Sequence, residues 1–546
     1  MSEAAPSEVA PEEAAPPPQP APKSWPMTIG YIAVAVVIGL TQGLAQGFVS
    51  TNLPQIAGDL GVSVTQASWL MVAFLIPRAS LPLLLIKLRT QYGLRRFAEW
   101  AIVAYLVVAA GALAISDLRS AFIMQFIAGM VAAPLSTLAF LYMLEPLSQA
   151  WKLKFGMPMV LALISAGPLL ARVLSPSLMG DHGWDGLHLM TLGMAAISLG
   201  LVYLLPLASP PRVKVIATLD IVSFLLIAIS FGGMTVAFVT GATYWWTEAA
   251  WLGWVMVGSI IALTLAVVIE LHRKSPLLDI RWLASPAMVH LTITLLLFRL
   301  ILSEQSAGAP RMFQQLGVTQ GQLVPLFSLI CVATLLGGLA LIPFMKPERV
   351  PMLHVVALSL IATGAWLDSG STIDTRPAQM MLSQAMIAFA GSLFMAPAMM
   401  KGLMQALARG PNYILSFVIV FLSTQSLGGA IGSGLFGTFI NLRQAHHIQI
   451  LREQLTLTDP QTMQALAMRS AALASQIADP ALLKSQAVAM IAQEATNQSF
   501  VMAYNDAYLL TALAALAALA ALILHMLRDA MAERLARRIT PETETG

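Results

Sequence analysis

Five of the ionisable side chains inside long apolar stretches are the residues of this sequence best placed to do chemistry. They are Arg78, Arg172, Arg299, Glu304 and His290. A single arginine at the centre of a membrane costs at least about 2.5–3.5 kcal/mol on insertion scales. Such charges therefore face the interior of a helix bundle or a watery cavity, where they form pairs or bind a ligand.

Two roles fit these charges, and the sequence leaves both open. In the structural role, Arg172 or Arg299 pairs with Glu304, or Arg172 extends to the outer interface. In the functional role, the arginines give a cavity a positive potential that suits an anionic amphiphile. Glu304 then takes up and releases protons. A low dielectric raises the pKa of a carboxyl group and a nearby arginine lowers it, so the balance can fall near neutral pH. His290 is an alternative titrating group, although a single helix histidine is more often packed.

The composition predicts an all-α polytopic membrane protein. Of the 546 residues, 58% are hydrophobic and only 10% are charged, and mean hydropathy is +0.76. Soluble domains carry about 25% charged residues. The sequence pI of about 9.0 does not indicate nucleic acid, because most basic residues lie in short connections between apolar spans. We predict no enzyme activity, no cofactor and no metal; the single cysteine, Cys331, excludes an intrachain disulfide and a cysteine cluster.

The apolar stretches predict about fourteen membrane spans, each of about 20 residues. We place them at about 27–50, 67–86, 98–115, 120–144, 157–178, a sixth before Arg212, 219–239, 251–270, 286–306, 321–345, 351–368, 377–400, 413–440 and 502–527. Basic residues fall in alternate connections, so the positive-inside rule places both termini in the cytoplasm. This orientation requires an even number of spans.

Three segments lie outside the spans. Residues 1–26 are rich in proline and alanine and predict a disordered cytoplasmic tail, and residues 528–546 predict a second cytoplasmic tail. Residues 442–500 are polar and lie on the outer side, with apolar residues at helical spacing. We expect two or three amphipathic helices there, which either cover the mouth of the bundle or dock an external partner.

Two short motifs predict moving parts. Gly167 and Pro168 interrupt the fifth span, which predicts a kinked helix whose small-residue face a neighbouring helix approaches closely. Gly93, Arg95 and Arg96 form a short basic turn after the second span.

The order of several motifs along the chain is similar to that of a known family. They are residues 52–61 after the first span, the 93–96 turn, residues 129–134, Gly167-Pro168, Gln314 with Gln315 and Gly317, and residues 427–432. Together they resemble the fourteen-helix drug:proton antiporters of the major facilitator superfamily, of the EmrB/QacA type. The resemblance covers nearly the whole chain after residue 27.

The resemblance implies a major facilitator fold with two six-helix halves, 27–208 and 271–527, and two linking helices within 209–270. It implies alternating access around a central cavity. It further implies an exporter of small lipophilic toxic compounds, driven by protons, in the inner membrane of a bacterium. Membrane lipid, a periplasmic adaptor protein and an outer-membrane channel are the implied partners. Gly167-Pro168 matches the family's antiporter motif, and Gly93, Arg95 and Arg96 match its gating loop.

The sequence departs from the family at its charged positions. Ala45 stands where the first span usually has an aspartate, and Gln125 stands where the fourth span usually has an arginine. Ala171 and Arg172 replace the usual glycine pair. The family's proton-coupling residues therefore do not carry over, which leaves Gln125 and the five ionisable residues as the candidates. A non-transporting receptor or scaffold is the alternative function; nutrient uptake is a third, against which the Gly-Pro helix argues by analogy.

Overall fold

The structure is a computed structural model that describes residues 23–180, 183–209, 212–273, 276–456 and 458–539. Most of the predicted 1–26 tail, and residues 540–546 of the predicted 528–546 tail, lie outside the described residues. The first eleven helices are α1 (Trp25–Thr51), α2 (Leu53–Asp59), α3 (Val64–Ser80), α4 (Pro82–Tyr92), α5 (Leu94–Gly111), α6 (Leu118–Leu144), α7 (Gln149–Trp151), α8 (Met157–Leu178), α9 (Asp185–Leu204), α10 (Thr218–Tyr244) and α11 (Ala250–Leu271). The remaining ten are α12 (Ile280–Leu283), α13 (Pro286–Ile301), α14 (Ser303–Ala307), α15 (Ala309–Gln315), α16 (Gln320–Ala340), α17 (Val350–Asp368), α18 (Met381–Arg409), α19 (Pro411–Gln454), α20 (Pro460–Leu473) and α21 (Pro480–Ile539).

The helices confirm the all-α membrane fold. Within the described residues, 13 helical segments are long and apolar enough to cross a membrane, and the count rises to 14 if the bent pair α2 and α3 is one span. This bent pair turns by 114° at the short break after Asp59. The predicted fifth span, 157–178, coincides with α8.

Polar caps and one glycine set several helix ends in the connections. Ser63 caps α3 through the backbone N–H of Gln66, and Asp117 caps α6 through that of Ser120. The hydroxyl and backbone N–H of Ser120 hold the pKa of Asp117 below its ordinary value, because both donate to its carboxylate. Gly93 ends α4 with φ of 88°, a conformation that residues with a side chain rarely adopt.

The helices pack as two sets with α10 between them. One set contains α1, α3, α5, α6, α8 and α9, and the other contains α13, α16, α17, α18, α19 and α21. The two sets touch directly where α8 packs on α16. In addition, α10 packs on α3 of the first set and on α19 of the second, while α11 packs on α10.

The predicted ninth span, 286–306, is not one continuous helix. It is divided at Leu302 into α13 and α14, and a second break at Gly308, just beyond the predicted span, separates α14 from α15. A Cβ atom on Gly308 would lie 2.5 Å from the Glu304 carbonyl oxygen and 2.8 Å from the Tyr508 ring, so the close approach of α21 requires glycine there. The sequence analysis treated the stretch as one span and missed these breaks, although the polar residues 303–306 interrupt its apolar run.

The outer segment 442–500 is largely helical. The helix α19 continues to Gln454, and α20 is a separate helix. The helix α21 begins at Pro480 and runs without interruption into the last span. Asp459 caps α20, and its pKa lies below the ordinary value because the backbone N–H and hydroxyl of Thr462 donate to its carboxylate.

The small-residue face of α8 lies directly against α1. A Cβ atom built on Gly43 would lie 2.7 Å from the Cα atom of Gly167 and 2.9 Å from Cδ of Pro168. Close backbone approach through small residues is the usual way in which membrane helices gain packing energy. The predicted close approach at the Gly-Pro motif is therefore present, with α1 as the partner.

We predict that Gly43→Ala destabilises the protein, because the added methyl group meets backbone and ring atoms that cannot rotate away. Overpacking of this kind costs about 1–3 kcal/mol. The measurement is thermal unfolding of the purified protein in detergent. Gly200→Ala is the matched control, since a Cβ atom at Gly200 of α9 meets no atom within 4 Å. Equal midpoints for the two variants would contradict the prediction.

Candidate substrate and coupling sites

Arg78 lies in α3 directly after Pro77 and points toward α1. Its Nη1 atom donates to Oε1 of Gln46 at 2.8 Å, and its Nη2 atom donates to Oε1 of Gln42 at 2.5 Å. The hydroxyl of Ser136 in α6 donates to the same Gln42 oxygen at 3.1 Å. All of these partners are neutral, so the positive charge of Arg78 is solvated but not cancelled.

Arg299 lies in α13 against a glycine pair of α19. Its Nε atom donates to the carbonyl oxygen of Gln425 at 3.2 Å. A Cβ atom on Gly428 would lie 3.1 Å from Cγ of Arg299, and one on Gly429 would lie 3.3 Å from Nη2. The glycines therefore make the space that the guanidinium occupies. Arg299 is also close enough to Arg78 for the two charges to repel each other.

Arg172 lies in α8 where this helix faces α16. Its guanidinium carbon is 4.8 Å from the centre of the Phe327 ring, a cation–π geometry. Arg311 of α15 is close enough to add a second positive charge to this region. Arg172 thus occupies a contact between the two sets of helices.

The three arginines share one property. Each lies deep in the bundle, yet each keeps partial solvent accessibility. Accessible surface deep inside a bundle means that the side chain borders an internal space. In the part of the chain that the structure describes, no carboxylate lies within 4.0 Å of any of them. The expected ion pair of Arg172 or Arg299 with Glu304 is therefore wrong.

Glu304 belongs to a separate polar cluster. It is fully buried in α14, and its Oε1 atom accepts a hydrogen bond of 2.9 Å from Nε2 of Gln384 in α18. The same Nε2 atom donates to Oδ2 of Asp368, the last residue of α17, at 2.7 Å. The hydroxyl of Ser383 donates to Oδ1 of Asp368. We call Glu304, Asp368, Ser383 and Gln384 the carboxyl cluster.

The other two candidates lie elsewhere. His290 is on the exposed face of α13, where its ring stacks on that of His525 with centroids 6.1 Å apart. Gln125 is buried in α6 and lines a small cavity of about 50 Å³ between α1, α5, α6 and α9. Among the described residues, neither side chain is hydrogen-bonded to the arginines or to the carboxyl cluster.

The basic turn closes one end of the bundle, which we call the basic end. Arg95 is exposed, pairs with Glu99 at 2.8 Å, and donates its backbone N–H to the hydroxyl of Ser209. Arg96 is exposed. Gly93 packs against Arg212 and Ser209, so this turn contacts the chain that follows α9.

A buried charge network lies beside this turn. Lys87 of α4 pairs with Asp220 of α10 at 2.7 Å, and Arg273 pairs with the same Asp220 at 2.6 Å and with Glu270 of α11 at 2.8 Å. Two positive and two negative charges balance. Burial alone would lower the pKa of Arg273, but its hydrogen bonds to Asp220 and Glu270 outweigh burial and raise the pKa above its ordinary value. Arg273 therefore remains charged.

Sequence reasoning missed both polar clusters. Asp220, Glu270 and Asp368 each stand within a few residues of a span end, where a charge is expected to meet water. Gln384 is a neutral residue in an apolar stretch. A faint signal was present, because two acidic residues border the pair of extra spans at 219–239 and 251–270. It could not show which cations they contact.

The architecture and the buried polar sites together define the class of protein. The protein is a multi-pass membrane protein in which two sets of helices meet around buried charges, and that is the construction of a transporter.

Comparisons with known proteins agree with this class. The chain is 23% identical to the MFS-type transporter YhcA of Bacillus subtilis over 524 residues, 91% of this chain and 92% of the relative. It is 22% identical to the multidrug export protein EmrB of Escherichia coli over 511 residues, 86% and 90% of the two chains. A bacterial homologue of the human drug peptide transporters PepT1 and PepT2 superposes with a TM-score of 0.55 at 12% identity, covering 94% of this chain and all of the other. No family model matches the chain.

Over nearly its whole length the chain is similar to transporters of the major facilitator superfamily, and its fold agrees with theirs. The predicted resemblance to the EmrB-type exporters is confirmed. These full-length relatives are transporters, not enzymes.

We predict that Asp220→Asn destabilises the protein strongly, because it leaves Lys87 and Arg273 buried without their shared carboxylate. Breaking a buried pair costs about 3–5 kcal/mol. Thermal unfolding of the purified protein measures the effect. Glu494→Gln is the matched control, since its pair with Arg469 is exposed and such pairs contribute at most about 1 kcal/mol. A shift for Asp220→Asn no larger than that of the control would show that water replaces the network.

Proposed function

We propose that this protein is a secondary active exporter of small amphipathic or lipophilic compounds, driven by proton antiport and favouring organic anions. It acts in the bacterial inner membrane with both termini and the basic end in the cytoplasm. The similarity to EmrB supports the export direction, and the alternate placement of basic connections supports the orientation.

The observation that carries the anion preference is the set of three arginines without carboxylate partners. A buried guanidinium that is solvated only by neutral groups retains most of its charge, so its free energy falls when an anion arrives. Gln42 and Gln46 hold the Arg78 guanidinium in place through their carbonyl oxygens, while Arg299 approaches from the other set of helices. An anionic headgroup between Arg78 and Arg299 would relieve their mutual repulsion.

The same placement gives substrate binding a way to influence the contact between the two helix sets. Arg78 lies in the first set and Arg299 in the second, and Arg172 lies where α8 packs on α16. An anion that draws these charges together favours the state in which the sets are close, and its release allows them to separate.

We predict that Arg78→Gln and Arg299→Gln each reduce export of a lipophilic carboxylate by at least about tenfold, since each removes about 1.5–3 kcal/mol of charge-assisted hydrogen bonding. Arg172→Gln has a smaller effect because its main contact is an aromatic ring. The measurement is substrate-dependent proton flux in liposomes that hold the purified protein, with panels of lipophilic anions and cations.

Arg349→Gln is the matched control, because Arg349 is exposed at the basic end. Anion export that stays intact in all three variants would refute the anion preference and return the arginines to a structural role. Proton movement that occurs with lipophilic cations only would also refute the anion preference. If no compound moves protons, the receptor or scaffold alternative, which the absent family carboxylates favour, replaces the export proposal.

The outer segment is the proposed docking surface for a periplasmic adaptor protein, which would connect the exporter to an outer-membrane channel. Within this segment α20 packs on α21 through Leu466, which is buried, and leaves Met463 and Met468 exposed. Contiguous apolar patches that are exposed to water mark interaction surfaces, and Met463 and Met468 would form part of such a patch. The outer position of the segment and the similarity to EmrB support this assignment.

We predict that the double substitution Met463→Gln and Met468→Gln leaves transport in liposomes unchanged but reduces the resistance of whole cells to a substrate. The apolar contact with the adaptor is lost, whereas the transport pathway is not touched. Gln464→Ala is the matched control, because Gln464 is exposed on the same helix. Unchanged resistance of cells carrying the double variant would indicate that the segment only covers the mouth of the bundle.

A further inference from the structure

The carboxyl cluster has the properties of a binding site whose ligand is very small. Glu304, Ser383, Gln384 and Asp368 are all at most 3% exposed. They come from three helices, α14, α17 and α18, so only the folded protein brings them together. The cluster lies toward the end of the bundle opposite the basic end, where α17 ends and α18 begins.

Two polar atoms in this cluster have no hydrogen-bond partner. They are Oε2 of Glu304 and Oε1 of Gln384, both on fully buried side chains. Buried polar atoms are almost always satisfied, so orphaned ones indicate a missing ligand. Among the described residues no group of three histidine, cysteine or acidic side chains could hold a metal ion.

The geometry of the two carboxyl groups indicates which ligand this site binds. One donor serves both groups: Nε2 of Gln384 lies 2.9 Å from Oε1 of Glu304 and 2.7 Å from Oδ2 of Asp368, which holds the two carboxyl groups side by side. No cation neutralises them, because neither forms a salt bridge within the described ranges. Two carboxylates that share a dry site repel each other strongly, and one proton between them removes the repulsion.

We propose that Glu304 and Asp368 bind one proton as a unit and that this pair is the proton-coupling site of the transporter. The proton adds to a carboxylate oxygen, forming an O–H bond that donates to the partner carboxylate; on release this bond breaks and the proton passes to water. The pair then changes between one negative charge and two. The coupling role rests on the export function proposed above, whereas proton binding itself does not.

Other groups around the pair fit this role. From α18, Ser383 and Gln384 contribute only uncharged groups. From α21, the Tyr508 side chain is near both carboxyl groups and stands beside Tyr504, which faces Arg311 of α15. Tyr508 itself donates to the Met312 sulfur. The groups that enclose the pair are therefore neutral, so none of them takes the place of a proton in neutralising the two carboxyl groups.

The position of Glu304 explains how a proton could act on the substrate site. The break at Leu302 separates α13, which carries Arg299, from α14, which carries Glu304. The hydroxyl of Ser303 donates to the Arg299 carbonyl oxygen at 3.1 Å. Protonation of the pair changes the charge held by this five-residue helix, whose first residue is hydrogen-bonded to the backbone of Arg299.

Infrared spectroscopy tests proton binding without any substrate. The purified wild-type protein at neutral pH is expected to show the C=O stretch of a protonated carboxyl group, and both Glu304→Gln and Asp368→Asn are expected to lose it. Glu348→Gln is the matched control, because Glu348 is exposed at the basic end and its substitution leaves the band unchanged. Thermal unfolding verifies that each variant is folded; Ser383→Ala, which keeps both carboxyl groups, is a further variant in which the band persists but shifts.

Proton flux in liposomes then tests coupling. Each single variant is expected to lose substrate-dependent proton movement by at least about tenfold, and the double variant by no more than either single one, since residues that act as a unit are not additive. Absence of the infrared band, as for a pair that binds sodium with both groups ionised, overturns the proposal. A band that survives both single substitutions overturns it as well. If the band is lost in the variants as expected but no compound makes the protein move protons, the proton site is retained and the export function is rejected.

Discussion

The central constraint on this protein is the cost of holding charge in a medium of low dielectric. Near the basic end the buried charges neutralise one another, because Asp220 and Glu270 are paired with Lys87 and Arg273. Deeper in the bundle the charges have no such partners. Three arginines border internal space with neutral partners only, and two carboxyl groups share a single amide donor. Unlike charges that could have neutralised one another are kept apart.

This separation has a functional consequence. If Glu304 paired with Arg299, both charges would be satisfied permanently and neither would have a reason to bind anything. Kept apart, the arginines lower their energy by binding an anion, and the carboxyl pair lowers its energy by binding a proton. The short helix α14 lies between the two kinds of site, and its breaks at Leu302 and Gly308 give it some independence from α13 and α15. In transporters, interrupted helices commonly form the binding regions.

The fold was largely predictable from the sequence, whereas the sites were predictable only in part. The bilayer dictates the length and hydropathy of each span, so apolar periodicity identified α8 to the residue and gave about fourteen spans. The same reasoning selected Arg78, Arg172, Arg299 and Glu304, because a charge inside an apolar stretch is conspicuous. It also selected His290, which lies on an exposed face, since composition does not show on which side of a helix a residue lies.

What could not be predicted is which distant residues meet. Asp368 stands at a span end, where hydropathy assigns it to water, and only the packing of α17 against α18 buries it beside Gln384. The break at Gly308 was hidden for a related reason: it lies at the close approach of Tyr508 to Gly308, a tertiary contact between segments far apart in the chain. Hydropathy therefore locates the charges that a membrane protein bears at a cost, but only the folded structure shows which of them are left for a ligand.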